Sequence, residues 1–236
     1  ADADIEATAE GIAAAGLFNS GQDCTAATRV LVESSVAKEF TDALVRHAES
    51  LRTGPIPEEE AFYGPLNNAR HFASVQKIVE ERPAHSNLLT GGHRVGETGY
   101  YYAPTIISGL KQDDALVQQE VFGPVLAIVH ADTYERAIAQ VNSSPFGNGA
   151  AIFTDDGGVA RRFTLDVEAG MVGVNVPIPT PVAYYSFGGW KESLLGDTHI
   201  HGPEGVHFYT RAKAITTRWP SESGAYAATM SFQREE

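Results

Sequence analysis

The 236-residue chain has one cysteine, Cys24. A single thiol cannot form an internal disulfide, so no oxidising compartment is called for and the expected location is cytoplasmic. Cationic side chains are also scarce, with 17 Lys and Arg against 30 Asp and Glu, a formal net charge of −13. They are scattered, with no basic run. Nucleic acids and anionic membranes both require clustered Lys and Arg, so neither is an expected partner. No apolar run approaches the ~18 residues that a membrane-spanning helix needs. The opening ADADIEATAEGIAAAG carries acids where a signal peptide needs positive charge, and it runs directly into helical sequence. Internal repeats and low-complexity segments are lacking too.

What is present is an alternation of short apolar strands and amphipathic helices, in a length that suits one large domain or two small ones. Asp2 or Asp4 can cap a helix to about Ala15. RVLVE (Arg29 to Glu33) reads as a buried strand, and Ser35 as the cap of a helix carrying Phe40, Leu44 and Ala48 on one face. A Pro/Gly-rich connection leads to an amphipathic helix over Asn68 to Glu81. NLLTGG, GYYYAPTII, VLAIVHA, GAAIF and GMVGVNV read as strands. Asp132 to Glu135 forms a capping box ahead of one further helix, and GGVARRFTLDV forms another. The expected fold is α/β, a mostly parallel open sheet flanked by helices. VHFYTRAKAITTRW (Val206 to Trp219) is β-rich and suits a C-terminal edge strand for oligomerisation. Residues from Ser221 to Glu236 have the composition of a surface tail.

Cys24 is the residue whose context points to chemistry. A lone cysteine is commonly a buried, inert hydrophobe. Here its neighbours in LFNSGQDCTAATR are small and polar, so a ligand can approach the backbone, and the position before a strand can present a nucleophile. Asp23 would raise the thiol pKa if it faced the sulfur and is expected to point elsewhere.

The run Leu17 to Thr28 resembles the active-site cysteine signature of the aldehyde dehydrogenase superfamily. YYAPTII followed by QQEVFGPVLAIV is similar to that family's paired segments, as are NSSPFGNGAAIFT, GMVGVNV and SFGGWKES, in family order. The resemblance implies that Cys24 is the nucleophile, and that the product is an acid formed through a thiohemiacetal and a thioester. The backbone N–H of Cys24 would hold the oxyanion, and Glu120 and Phe122 would bind the nicotinamide ribose end of NAD or NADP. Asp23, Thr25 and Phe187 are expected against the substrate. The family's dinucleotide-binding domain, general-base Glu and oxyanion Asn precede the cysteine motif. The chain therefore reads as the catalytic domain over residues 1–220, without redox activity of its own and completed by an N-terminal half or a homo-oligomer.

Two substrate cues diverge. Asp23 before the nucleophile is similar to γ-aminobutyraldehyde dehydrogenases and suits a cationic aldehyde, unless it is a loop residue bonded to backbone N–H groups. From Val172 onward the sequence is closer to methylmalonate-semialdehyde dehydrogenases, which implies coenzyme A as the acyl acceptor. A rival outside enzymology is a catalytically silent assembly module using the C-terminal strand. His199 and His201 read as two ordinary imidazoles of a surface strand or loop, so no metal site is expected.

Overall fold

The structure, a computed structural model, describes residues 2–55, 60–217 and 219. Helix α1 (Ile5–Leu17) starts where the Asp4 carboxylate accepts the Ala7 N–H at 3.0 Å. After it Asn19, Ser20 and Gly21 all adopt left-handed backbone, with φ of 51, 62 and 65°, and turn the chain toward strand β1 (Arg29–Glu33). Helix α2 (Ala37–Ser50) is preceded by Val36 rather than capped by Ser35, because Ser35 Oγ donates to Glu33 Oε1 at 2.8 Å. Strands β2 (Arg52–Thr53) and β3 (Ala61–Tyr63) form a small parallel pair before α3 (Ala69–Glu80), which Asn68 caps.

Strands β4 (Asn87–Thr90) and β5 (Thr105–Leu110) lead through a short α4 (Ala115–Gln118) into β6 (Val125–Ala131). Helix α5 (Tyr134–Asn142) is capped by Thr133, while the Asp132 carboxylate instead takes the Ser34 hydroxyl at 2.6 Å. There follow β7 (Phe146–Gly147), β8 (Gly149–Ile152), α6 (Gly157–Asp166), β9 (Met171–Val174), β10 (Trp190–Lys191) and α7 (Gly202–Tyr209).

The main sheet has the order β1-β6-β5-β4, with β1, β6 and β5 parallel and β4 antiparallel at one edge. Strands β8 and β9 form a separate parallel pair, and β7 and β10 an antiparallel one. All of β6 except His130 is buried, as a central strand covered on both faces must be. Leu126 and Ile128 face α1 and α2, joining Leu17, Phe40 and Leu44. Val125, Ala127 and Val129 face α3, joining Phe72, Val75 and Val79. A third cluster gathers Phe163 of α6, Ile138 and Val141 of α5, and Ile152 of β8. No helix among the described residues is long and apolar enough to cross a membrane.

The expected C-terminal edge strand is not formed among the described residues. Val206 to Tyr209 are the end of α7, and residues 210–217 carry no strand pairing. Pro203 fits the first turn of a helix, and β-rich sequence becomes a strand only where an edge receives it. Val206, Phe208, Tyr209 and Ile215 are left exposed. The tail expected from Ser221 to Glu236 lies outside the described residues.

Candidate active site

The Cys24 loop is fastened on both sides. Its left-handed turn lies directly on the segment after Glu120: a Cβ on Gly21 would stand 2.1 Å from the Gly123 carbonyl oxygen. The Gln22 side chain accepts the Asn67 N–H at 2.8 Å and donates to Asn19 O and Pro65 O, while buried Ser20 donates to Gly64 O at 2.5 Å. On the far side of the sulfur, Asn148 Nδ2 donates to the Cys24 carbonyl at 2.7 Å. These bonds hold the backbone while leaving the Cys24 side chain exposed.

Asp23 is turned along the loop. Its Oδ1 accepts the Thr25 N–H and the Thr25 hydroxyl, each at 2.7 Å, and Thr25 Oγ1 in turn accepts from Thr180 at 3.2 Å. This is a side-chain-to-backbone turn that fixes the step from the cysteine into β1. Although the carboxylate is engaged there, its charge still acts on the sulfur. Partial burial, then Asp23, push the Cys24 thiol above its ordinary range, with Glu120 adding to them. The backbone N–H of Cys24 and the Asn148 amide act the other way. A thiol so placed is mostly protonated at neutral pH and needs a base to become the attacking thiolate.

Cys24 lines a cavity of ≈ 1020 Å³ together with Thr25, Glu120, Asn148 and Phe187. Four of the six residues expected from the sequence are therefore brought to one space: Cys24, Thr25, Glu120 and Phe187. Asp23 and Phe122 are not on its wall. Phe122 has a left-handed backbone, φ 54°, and its carbonyl accepts His71 Nε2–H at 2.7 Å, with the rings 6.3 Å apart. Phe187 is held by reciprocal backbone bonds with Ile200 and lies 5.8 Å from the His201 ring. Glu120 is exposed and shares the thiol's cavity, which fits the carboxylate that vicinal ribose hydroxyls require. Phe122 does not extend that fit.

Sequence reasoning missed Asn148 and Thr180. Asn148 stands in the quoted NSSPFGNGAAIFT segment, but nothing local ties it to a carbonyl 124 residues away. Asn175, in the GMVGVNV motif, exchanges two 3.0 Å bonds with the Thr154 backbone and so extends the β8–β9 pairing by a side chain. Lys191 anchors the closing motif, donating to Asn142 O at 2.6 Å and pairing with Glu168 at 2.7 Å. His199 and His201 diverge, the first meeting Gly189 O at 3.1 Å and the second packing near Phe187.

Comparison with known proteins agrees with this geometry. Residues 1–215 match the profile of the aldehyde dehydrogenase family. Malonate-semialdehyde dehydrogenase 2 of Geobacillus kaustophilus is 39% identical over 222 residues, covering 92% of this chain and 46% of that protein. The malonate-semialdehyde dehydrogenase of Pseudomonas aeruginosa is 38% identical over 98% of this chain and 48% of its own. Among solved structures, methylmalonate-semialdehyde dehydrogenase from Oceanimonas doudoroffii superposes with a TM-score of 0.89 at 33% identity, covering 94% of this chain and 47% of that one. Betaine aldehyde dehydrogenase from Staphylococcus aureus, in complex with NAD+, gives 0.83 at 29% identity, covering 88% and 42%. The chain spans about half the length of the curated relatives it matches.

Proposed function

This chain belongs to the aldehyde dehydrogenase family, and on that premise we propose that it is the catalytic half of an NAD(P)-dependent enzyme that oxidises an aldehyde through Cys24. The observation that carries the proposal is an exposed thiol on the wall of a cavity shared with Thr25, Glu120 and Phe187. Cys24 Sγ, once deprotonated, attacks the carbonyl carbon and leaves an oxyanion beside the Cys24 backbone N–H, the group that already favours negative charge at this position. Bound NAD(P) supplies the hydride acceptor, with Glu120 as the residue of this chain that holds its ribose hydroxyls. Loss of hydride from the thiohemiacetal leaves an acyl thioester on Cys24. Water releases the acid and restores the thiol; a thiol such as coenzyme A would instead carry the acyl group away.

The substrate we infer is a semialdehyde, as in the names of the relatives, rather than the amino-aldehyde that Asp23 suggested from sequence. The Asp23 carboxylate is occupied by Thr25 and stands off the cavity wall, which weakens the argument for a substrate ammonium. The exposed apolar residues from Val206 to Trp219 support a subunit contact there, and hence a homo-oligomer.

The test uses the chain itself and needs no dinucleotide. With p-nitrophenyl acetate, Cys24 should release about one equivalent of p-nitrophenolate per chain in a burst and carry one acetyl group, located by peptide mass spectrometry. Cys24→Ala should show neither. An absent burst in the folded wild-type chain, or an acetyl group elsewhere, defeats the assignment.

A further inference from the structure

Cys24 and Thr25 are both held from a distant part of the chain, the β8–β9 pair and the loop that leaves it. Asn148, just before β8, donates to the Cys24 carbonyl. After β9 the chain continues as Val-Pro-Ile-Pro-Thr-Pro-Val, residues 176–182. Proline at every second position fixes φ there, and each proline keeps the residue before it extended. The Pro179 ring lies against the β8–β9 pair: a Cβ on Gly149 would stand 3.0 Å from its Cγ, and one on Gly173 3.4 Å from its Cβ. Thr180 is exposed, yet its loop has little freedom left to lose, and its hydroxyl reaches Thr25 Oγ1 at 3.2 Å across 155 residues of sequence. Chemistry sets the direction of that bond. A carboxylate only accepts, so the Thr25 proton is committed to Asp23 Oδ1 at 2.7 Å, and Thr180 must be the donor to Thr25. Two hydroxyls thus form a chain that ends on Asp23, with the Thr25 N–H on the same oxygen.

We propose that Thr180 is a positioning residue for the nucleophile: by donating to Thr25 it holds the Asp23 carboxylate in the loop turn and keeps that charge from closing on Cys24 Sγ. Asp23 and Cys24 are adjacent, so rotation about the Asp23 side-chain bonds is enough to change their separation. Repulsion between like charges rises as they approach, and here it opposes formation of the thiolate. Both bonds to the Asp23 side chain fall on Oδ1, so the carboxylate is held through one oxygen. A hydroxyl that is itself accepting a hydrogen bond donates more strongly, so the Thr180 link supports the one beyond it. Thr25 is 9% exposed, which leaves water little access to take the place of Thr180. Pro177 and Pro179 of the same loop line the cavity with Cys24, so a molecule that shifts this loop also changes the hold on Asp23. The inference rests on Cys24 as the nucleophile proposed above, since it is that sulfur whose proton the chain of hydroxyls governs.

The test follows the rate of Cys24 alkylation by iodoacetamide against pH on the full chain. The variants are Thr180→Val and Thr180→Ser, each alone and combined with Asp23→Asn. Valine keeps the shape of threonine without the hydroxyl, and serine keeps the hydroxyl. Thr180→Val should raise the midpoint of the profile by about half a pH unit, which slows alkylation below the midpoint about threefold. Thr180→Ser should follow the wild type. In the Asp23→Asn background Thr180→Val should have no effect, because no charge remains to be held. Thr25→Val removes the shared link, so it should raise the midpoint at least as far, and adding Thr180→Val should move it no further. An unmoved midpoint in Thr180→Val overturns the proposal. So does a shift of equal size in the Asp23→Asn background, which assigns the effect to the loop backbone, or a Thr180→Ser shift equal to that of valine. The p-nitrophenolate burst keeps this separate from the assignment of Cys24. A normal burst with an unmoved midpoint removes Thr180 alone, whereas a missing burst with the expected shifts removes the nucleophile and leaves the chain of hydroxyls standing.

Discussion

Gly21→Ala tests how tightly the cysteine loop is held. The added Cβ would stand 2.1 Å from the Gly123 carbonyl oxygen, 2.5 Å from its carbon and 3.1 Å from Gly16 O, all backbone atoms that cannot swing aside. Relief requires the loop and the Gly123 segment to part until the closest contact reaches 3.4 Å, the start of ordinary van der Waals contact. Overpacking of that kind costs about 1–3 kcal/mol. Gly21 also has φ +65°, where an L side chain adds about 1–2 kcal/mol. A loss of about 2–5 kcal/mol is expected in urea unfolding followed by circular dichroism. The displacement also moves the Cys24 loop, and with it the backbone N–H that favours the thiolate, so acetylation by p-nitrophenyl acetate should fall as well. Gly11→Ala is the internal control. It lies inside α1, and its nearest neighbour to a new Cβ is Pro177 Cγ at 3.9 Å. The same substitution there should stabilise the chain by about 0.5–1 kcal/mol. A Gly21→Ala protein within about 0.5 kcal/mol of wild type, with unchanged acetylation, would refute the account of the loop.

Three further outcomes follow from individual contacts. Asp23→Asn keeps an oxygen acceptor for Thr25 while removing the charge that helps raise the Cys24 pKa. Alkylation by iodoacetamide should quicken at neutral pH and its pH profile move to lower pH; an unmoved profile removes Asp23 from the electrostatics of the thiol. Asn148→Ala deletes a 2.7 Å bond to Cys24 O and a group that favours the thiolate. The pH profile should move upward, and stability should fall by about 1 kcal/mol in urea. Tyr102→Phe removes a buried hydroxyl with no hydrogen-bond partner among the described residues and should leave stability equal or up to about 1 kcal/mol higher. Burial pushes the Tyr102 pKa up to about 12 from 10.0, so the folded state prefers the neutral phenol. The wild type should keep its full stability below pH 10.0 and lose it as pH rises toward about 12, where the Phe variant loses less.

The boundaries of β1 and β6 were legible in the sequence because Arg29 and Glu33 bracket the apolar Val30, Leu31 and Val32, and because Val125 to Val129 is a continuous apolar run suited to a covered strand. Helix starts were less so, for a local reason. Ser35 and Asp132 have the chemistry of caps, yet each side chain is drawn to another partner, Glu33 and Ser34. The Val206 to Trp219 segment shows the opposite limit: its β-rich alternation describes a surface ready for an edge, and α7 forms where no edge is supplied. In the site, Cys24 could be singled out from its small polar neighbours, and Thr25, Glu120 and Phe187 from motif resemblance. Asn148 and Thr180 could not, since their roles come from contacts between distant parts of the chain.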